Sequence, residues 1–204
     1  PVAAVGGPAG AERPRVALAG GPAFTFSYAE TAELLTAAGA EVVTVDPLRD
    51  PALPTGTRAV VIGGGFPEAY ARTLAGNTAL RAELADFDGP VVAECAGLLY
   101  LGRSLDGLPM CGRLDLTARM TDRLTLGYRE ATAVTDSPVA RAGEPVRGHE
   151  FHRTTTDPGH GDAPAWRWND TEHGFVAGRV HASYLHTHWA GHPEAARRLV
   201  EACR

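Results

Sequence analysis

Cys95 stands in VVAECAGLLYL, residues 91 to 101, where an apolar run meets a helix-like start. A strand, a sharp turn and a helix with a reactive side chain at the turn form the logic of a nucleophile elbow. A thiol at a helix N-terminus also feels the positive end of the helix dipole, which favours thiolate. The same cysteine can be read as a small buried hydrophobe. Cys111 and Cys203 lie at no strand-to-helix turn and read as packing residues.

A thiol nucleophile needs a base, and VHASYLHTHW (180 to 189) offers His186 and His188. Strand alternation sets Ser183 on the opposite face and sends both imidazoles one way. Acyl chemistry also needs donors for an oxyanion. The Gly63-Gly64-Gly65 turn after a strand could present unhindered N–H groups, with the Ala96 N–H as a second donor, or it is merely a tight turn.

These residues must be positioned by elements. Arg15 to Ala19, Glu41 to Val45, Ala59 to Ile62 and Pro90 to Ala93 read as short buried strands. Helical stretches over Tyr28 to Ala38 and Pro67 to Phe87 lie between them, the second broken near Gly76 and Asn77, and Gly39 ends the first. Such βα alternation predicts an α/β fold with a mostly parallel central sheet flanked by helices. After Cys111, Leu124 to Val134, Val146 to His152, Trp166 to Trp168 and Gly174 to Ser183 read as antiparallel strands added to the parallel core. Thr154 to Pro164 reads as a long polar loop, and Pro193 to Cys203 as a closing amphipathic helix.

The chain has 204 residues, 44% of them hydrophobic, with a net charge of -5. One compact domain is expected, and the acidic balance argues against a nucleic-acid footprint. There is no lysine; all 19 basic residues are arginine. A Walker A lysine and a Schiff-base lysine are thereby excluded. Three widely spaced cysteines without a CxxC pair suggest neither disulfides nor structural zinc, and fit a reducing cytoplasm. No apolar run suits a membrane span, and the N-terminus lacks the features of a signal peptide. PVAAVGGPAGAERP, residues 1 to 14, reads as an interdomain linker, with the folded domain over 15 to 204.

Five stretches in order, GGGFPEAYARTLAGN (63 to 77), ECAGLLYL (94 to 101), LGYREA (126 to 131), RGHEFH (147 to 152) and SYLHTHW (183 to 189), resemble the C-terminal glutaminase domain of the cobyrinic acid a,c-diamide synthase family. The resemblance covers about residues 15 to 200 and implies a class I glutamine amidotransferase-like fold with a flavodoxin-like core. It implies that Cys95 attacks the glutamine side-chain amide to form a thioester, that His186 moves the protons, and that Gly64, Gly65 and Ala96 hold the oxyanion. It further implies that the ammonia serves amidation of the a and c carboxylates of cobyrinic or hydrogenobyrinic acid in cobalamin biosynthesis. ATP and Mg would act on an N-terminal synthetase domain outside this chain, leaving this domain without a cofactor of its own. Related amidotransferases carry a Glu two residues after the histidine, where this chain has His188. A Cys/His dyad is therefore the expectation, with Glu94 as an orienting acid or a structural carboxylate.

Arg147, matching a carboxylate bidentately, is a candidate for the glutamine carboxylate, and His149, Glu150 and His152 for the pocket or the domain contact. The family usually has Gly where Ala96 stands, an acidic residue near Gly20 and Gly21, and Asn near Thr31. Expected partners are glutamine, the synthetase domain and its corrinoid, with no nucleic acid or membrane; the sequence leaves room for a homodimer. Two other readings stand beside this one. A metal hydrolase would use His149, His152, His186 and His188, although HEFH is not HExxH. A non-catalytic module would keep the fold only as an interaction surface.

Overall fold

The computed structural model describes residues 13–204. The expected linker falls outside the described residues except Arg13 and Pro14. Both are tied to the fold, by an Arg13 hydrogen bond to the Ala40 carbonyl and a Glu41 N–H donated to Pro14.

In chain order the elements of the first half are β1 (Arg15–Ala19), α1 (Ala29–Ala37), β2 (Glu41–Val45), β3 (Thr57–Ile62), α2 (Pro67–Gly76), α3 (Thr78–Asp86), β4 (Val91–Glu94) and α4 (Ala96–Leu101). Then follow β5 (Ser104–Leu105), β6 (Leu108–Pro109), β7 (Thr117–Ala133), β8 (Pro145–Asp157), β9 (Trp166–Trp168), β10 (Thr171–His173), β11 (Phe175–Ala177), β12 (Val180–Ser183), β13 (His186–Thr187) and α5 (Glu194–Ala202).

The first sheet runs β11-β12-β4-β3-β1-β2, parallel except at the β11 edge. Its central strands are short and apolar on both faces because helices cover both. On one side Ala17, Val60, Ile62 and Val91 pack with Leu74, Leu80 and Leu84. On the other, Val16, Ala59, Val61 and Val92 meet Leu35 of α1 and Leu199 and Val200 of α5. Full burial of a side chain such as Leu35 contributes about 1.5–3 kcal/mol. Gly39, at φ 101°, makes the left-handed turn that ends α1, as its type predicts. Asn77 splits α2 from α3: its side chain accepts from the Leu80 N–H while its amide donates to the Pro47 and Asp50 carbonyls.

The strands after Cys111 add antiparallel structure to the parallel core, as expected, and most of it forms a second sheet built on the long β7–β8 hairpin, with β9, β10, β5, β6 and β13 attached. Two expectations for the second half need correction. Gly174 to Ser183 is not one antiparallel strand, because Gly178, at φ 58°, turns the chain between β11 and β12. β12 then pairs parallel to β4. β8 also runs on to Asp157, so the expected loop over 154–164 begins as strand.

Candidate active site

Cys95 sits between β4 and α4 with φ 50° and ψ −100°, a backbone combination that L-residues avoid. Such strain costs on the order of 1–3 kcal/mol and persists where surroundings enforce it. Here they do: the Cys95 N–H donates to Ser183 O at 2.8 Å and the Gly97 N–H to Gly63 O at 3.2 Å. A Cβ at Gly97 would strike the Ile62 carbonyl. The glycine after Ala96 therefore lets α4 close onto β3, and it holds the cysteine turn against the Gly63-Gly64-Gly65 turn.

Cys95 is 5% exposed, and what it does expose lines a cavity of about 140 Å³. Gly65, Phe26, Phe66, Glu68, His152 and Arg153 share that wall. The Ala96 N–H points at the sulfur, but burial dominates and pushes the Cys95 thiol up to about 12. Burial and the surrounding carboxylates thus favour a neutral thiol over the thiolate expected at a helix start.

His186 reaches this end of the molecule by an unusual route. β12 ends at Ser183, whose hydroxyl accepts from the Trp166 Nε1–H and from the Leu185 N–H. The chain then leaves the first sheet and β13 pairs with β8, His186 opposite His149. The His186 ring lies flat on His149, centroids 4.8 Å apart and planes 10° from parallel. Its other side abuts the glycine turn: a Cβ on Gly64 would fall on His186 Cε1. Burial, followed by the charges of His149 and His152, lowers His186 to about 4 and keeps the imidazole neutral.

The remaining candidates divide. Glu94 accepts from both the N–H and the hydroxyl of Thr187, the residue after His186, and burial raises its carboxyl to about 7. Glu150 is buried and paired with Arg129 at 2.7 Å and His152 at 3.4 Å. Burial works to raise its carboxyl, but the hydrogen bonds from His152 and Arg129 outweigh it and leave the group below its ordinary value. His152 also stacks on Tyr184, ring centroids 3.7 Å apart.

Two expected members lie elsewhere. His188 does not share a space with His186: β13 ends at Thr187, and His188 turns out to pair with Glu30 and pack edge-on to Tyr28. Arg147 is held outward by Glu130 at 3.0 Å, both side chains largely exposed, and is not among the cavity residues. Among the described residues no group of three or more His, Cys, Asp or Glu side chains converges as a metal centre requires.

Glu68 and Arg153 were not anticipated. In β7, residues 121 to 124 all oppose the single Arg153, because pairing slips between Met120↔Thr154 and Thr125↔His152. This bulge brings Met120, Leu124 and the consecutive run Phe151 to Thr154 to one cavity, against the alternation of a regular strand. Glu68 had a fainter signal, its place in the first turn of the helix that follows the glycine run.

Residues 15–194 match the family described as the CobB/CobQ-like glutamine amidotransferase domain. The chain belongs to that family. It is a glutamine amidotransferase, as the five motifs implied. Hydrogenobyrinate a,c-diamide synthase of Streptomyces coelicolor is 66% identical over 198 residues, covering 94% of this chain and 41% of that protein. The synthase of the same name from Thermobifida fusca is 55% identical over 202 residues, covering 94% and 43%. Cobyrinate a,c-diamide synthase of a Synechococcus strain is 39% identical over 203 residues, covering 93% and 44%. The chain thus spans about two-fifths of the length of these curated relatives. A solved glutamine amidotransferase superposes with a TM-score of 0.66 at 18% identity, covering 92% of this chain and 98% of that one. Another, from Thermotoga maritima, gives 0.60 at 15% identity, covering 86% and 76%. These two establish the α/β amidotransferase fold. No helix among the described residues is long and apolar enough to cross a membrane.

Proposed function

We propose that this domain is the glutaminase part of a hydrogenobyrinate a,c-diamide synthase, hydrolysing glutamine to glutamate and ammonia through Cys95 and His186. The observation that carries this reading is the strained Cys95 turn, which lines a cavity and is hydrogen-bonded to the glycine turn against which His186 packs. Both groups are neutral at rest, so the thiol proton passes to His186 as sulfur attacks the amide carbon. The carbonyl oxygen becomes an oxyanion, held by N–H groups of the Gly64-Gly65 turn and of Ala96. His186 then gives that proton to the departing nitrogen, the C–N bond breaks, and a γ-glutamyl thioester and ammonia result. Water attacks the thioester with His186 taking its proton, glutamate leaves, and the thiol regains its hydrogen. Arg153 and Glu68, which line the cavity as Arg147 does not, are on this reading the partners of the charged α-groups of glutamine.

The ammonia serves ATP-dependent amidation of the a and c carboxylates of a corrinoid on an N-terminal synthetase domain, the part of the relatives that this chain does not span. Among the acceptors, hydrogenobyrinate is favoured over cobyrinate by the 66% and 55% identities to synthases of that name, against 39% for the cobyrinate synthase. Docking of that domain at the cavity mouth is favoured by the exposed Phe26, Phe66, Met120, Leu124 and Phe151 around it.

The test is glutamate release from glutamine, by this domain alone and joined to the synthetase part, with Cys95→Ala alongside. Cys95-dependent release, faster in the joined protein, is expected; release that persists in Cys95→Ala would overturn the reading. A folded domain whose Cys95 resists a glutamine-like diazoketone even when joined would favour the non-catalytic alternative.

A further inference from the structure

Among the described residues no side chain hydrogen-bonds to the His186 ring; it is held by its stack on His149 and by the Gly64 turn. The strand that carries it is two residues long. So short a strand cannot hold its own direction, and its backbone must be pinned from outside. One pin is β8, where Gly148 lets the chains approach: a Cβ there would strike the His186 carbonyl. The other is Glu94. Its Oε1 takes the Thr187 N–H at 3.2 Å and the Thr187 hydroxyl, and that hydroxyl in turn accepts from Trp189 Nε1 at 3.2 Å. Glu94 is one peptide from the sulfur, and Thr187 is one peptide from the imidazole. A single carboxylate oxygen therefore ties the turn holding the nucleophile to the strand holding the base.

We propose that Glu94 is the positioning residue of this pair, acting on His186 through Thr187 rather than touching substrate. The role has the effect a third member exerts by bonding the ring, but exerts it one residue along the backbone. The place two residues beyond the histidine cannot supply it, because His188 is turned away to Glu30. The proposal rests on the Cys95/His186 reading above.

The experiment uses the full-length protein, with glutamate release giving kcat and KM and a diazoketone glutamine analogue giving the rate of Cys95 alkylation. Misplacement of the base by a fraction of an ångström to an ångström predicts a kcat lowered about 10- to 100-fold in Glu94→Ala, with KM within about twofold. Alkylation should slow in proportion. Glu94→Gln keeps an acceptor oxygen and should recover most of the loss. Thr187→Val removes only the hydroxyl and should lower kcat in the same sense. The double variant should fall little below the worse single one, because both act on one contact.

A folded Glu94→Ala with unchanged kcat overturns the proposal. So does Glu94→Gln failing as badly as Glu94→Ala, which would assign the loss to charge rather than position. Should Glu94→Ala fail to fold, Thr187→Val decides: unchanged kcat there overturns the link through Thr187. Loss of Cys95 dependence in the otherwise native protein would instead sink the glutaminase reading, leaving the two failures distinguishable.

Discussion

The end of the parallel sheet and the β7–β8 hairpin face each other across the Cys95 cavity, and they are built on opposite plans. Residues 95 to 101 are all buried, from a sulfur 5% exposed to a tyrosine ring with no exposure. The hairpin alternates, and its outward residues are bare: Leu126 is 64% exposed and Tyr128 91%. The first region has one packing solution because side chains meet it from both faces. The second is a two-stranded ribbon covered on one face, and so free to meet another surface. The difference teaches where precision is needed. Cys95 and the glycine turn lie at the end of the covered sheet, Met120, Leu124 and Phe151 bring the ribbon to the same cavity, and His186 sits at the seam.

The comparison can be broken at the seam first. After loss of the sulfur itself, Gly64→Ala should have the largest effect, because the new methyl would occupy the place of His186 Cε1. Glutamate release should fall about 100-fold or more, as expected when a catalytic group shifts by an ångström. A rate within a few-fold of the parent would mean that the ring does not stand there during turnover.

In the covered region, Leu98→Ala should cost about 2–5 kcal/mol in denaturant unfolding, the usual range for a buried leucine truncation. On the ribbon, Leu126→Ser should change stability by less than about 0.5 kcal/mol. It should still weaken the rate gain proposed for joining this domain to the synthetase part. Equal stability costs at the two sites would erase the contrast.

Arg129→Ala leaves the buried Glu150 carboxylate without its 2.7 Å partner. About 1.5–3 kcal/mol is expected for removal of a hydrogen bond to a charged group. Cys95 alkylation should respond less than to Gly64→Ala, because Arg129 acts on the cavity's far wall.

The smallest effect carries a sign. Burial raises the Glu94 carboxyl from 4.5 to about 7, although hydrogen bonds from Thr187 and Trp189 oppose it. A carboxyl whose folded value exceeds its unfolded one binds its proton more tightly when folded, so stability falls as pH rises from about 4.5 through about 7. Glu94→Gln removes that penalty. Its melting temperature should exceed the parent's at pH 8 and converge with it near pH 5; the opposite trend would show that the charged carboxylate is stabilised where it lies.

Much of the covered sheet was legible in the sequence. Arg15 to Ala19 and Glu41 to Val45 are strands to the residue, and the break at Asn77 is where its type places it. These features follow from local propensity and from strands apolar on both faces. The elbow was legible for the same reason, since β4, Cys95 and α4 are contiguous. The thiol's protonation was not, because burial is a property of the assembled fold. His188 went astray because strand period says which residues would share a face, not where the strand ends, and Arg147 because guanidinium chemistry says what a side chain can bind, not which way it points. Arg147 pairs with Glu130 across the hairpin, and β13 stops one residue before His188. The bulge that gathers Phe151 to Thr154 depends on register against a strand some thirty residues away, which no local pattern encodes.

The buried sulfur has one more consequence. Peroxide attacks thiolates far faster than thiols, so a cysteine that stays protonated until substrate arrives is a poor target for oxidation to sulfenic acid. The same enclosure that withholds reactivity from the idle domain should let it outlast oxidant exposure, and tie inactivation by peroxide to turnover rather than to time.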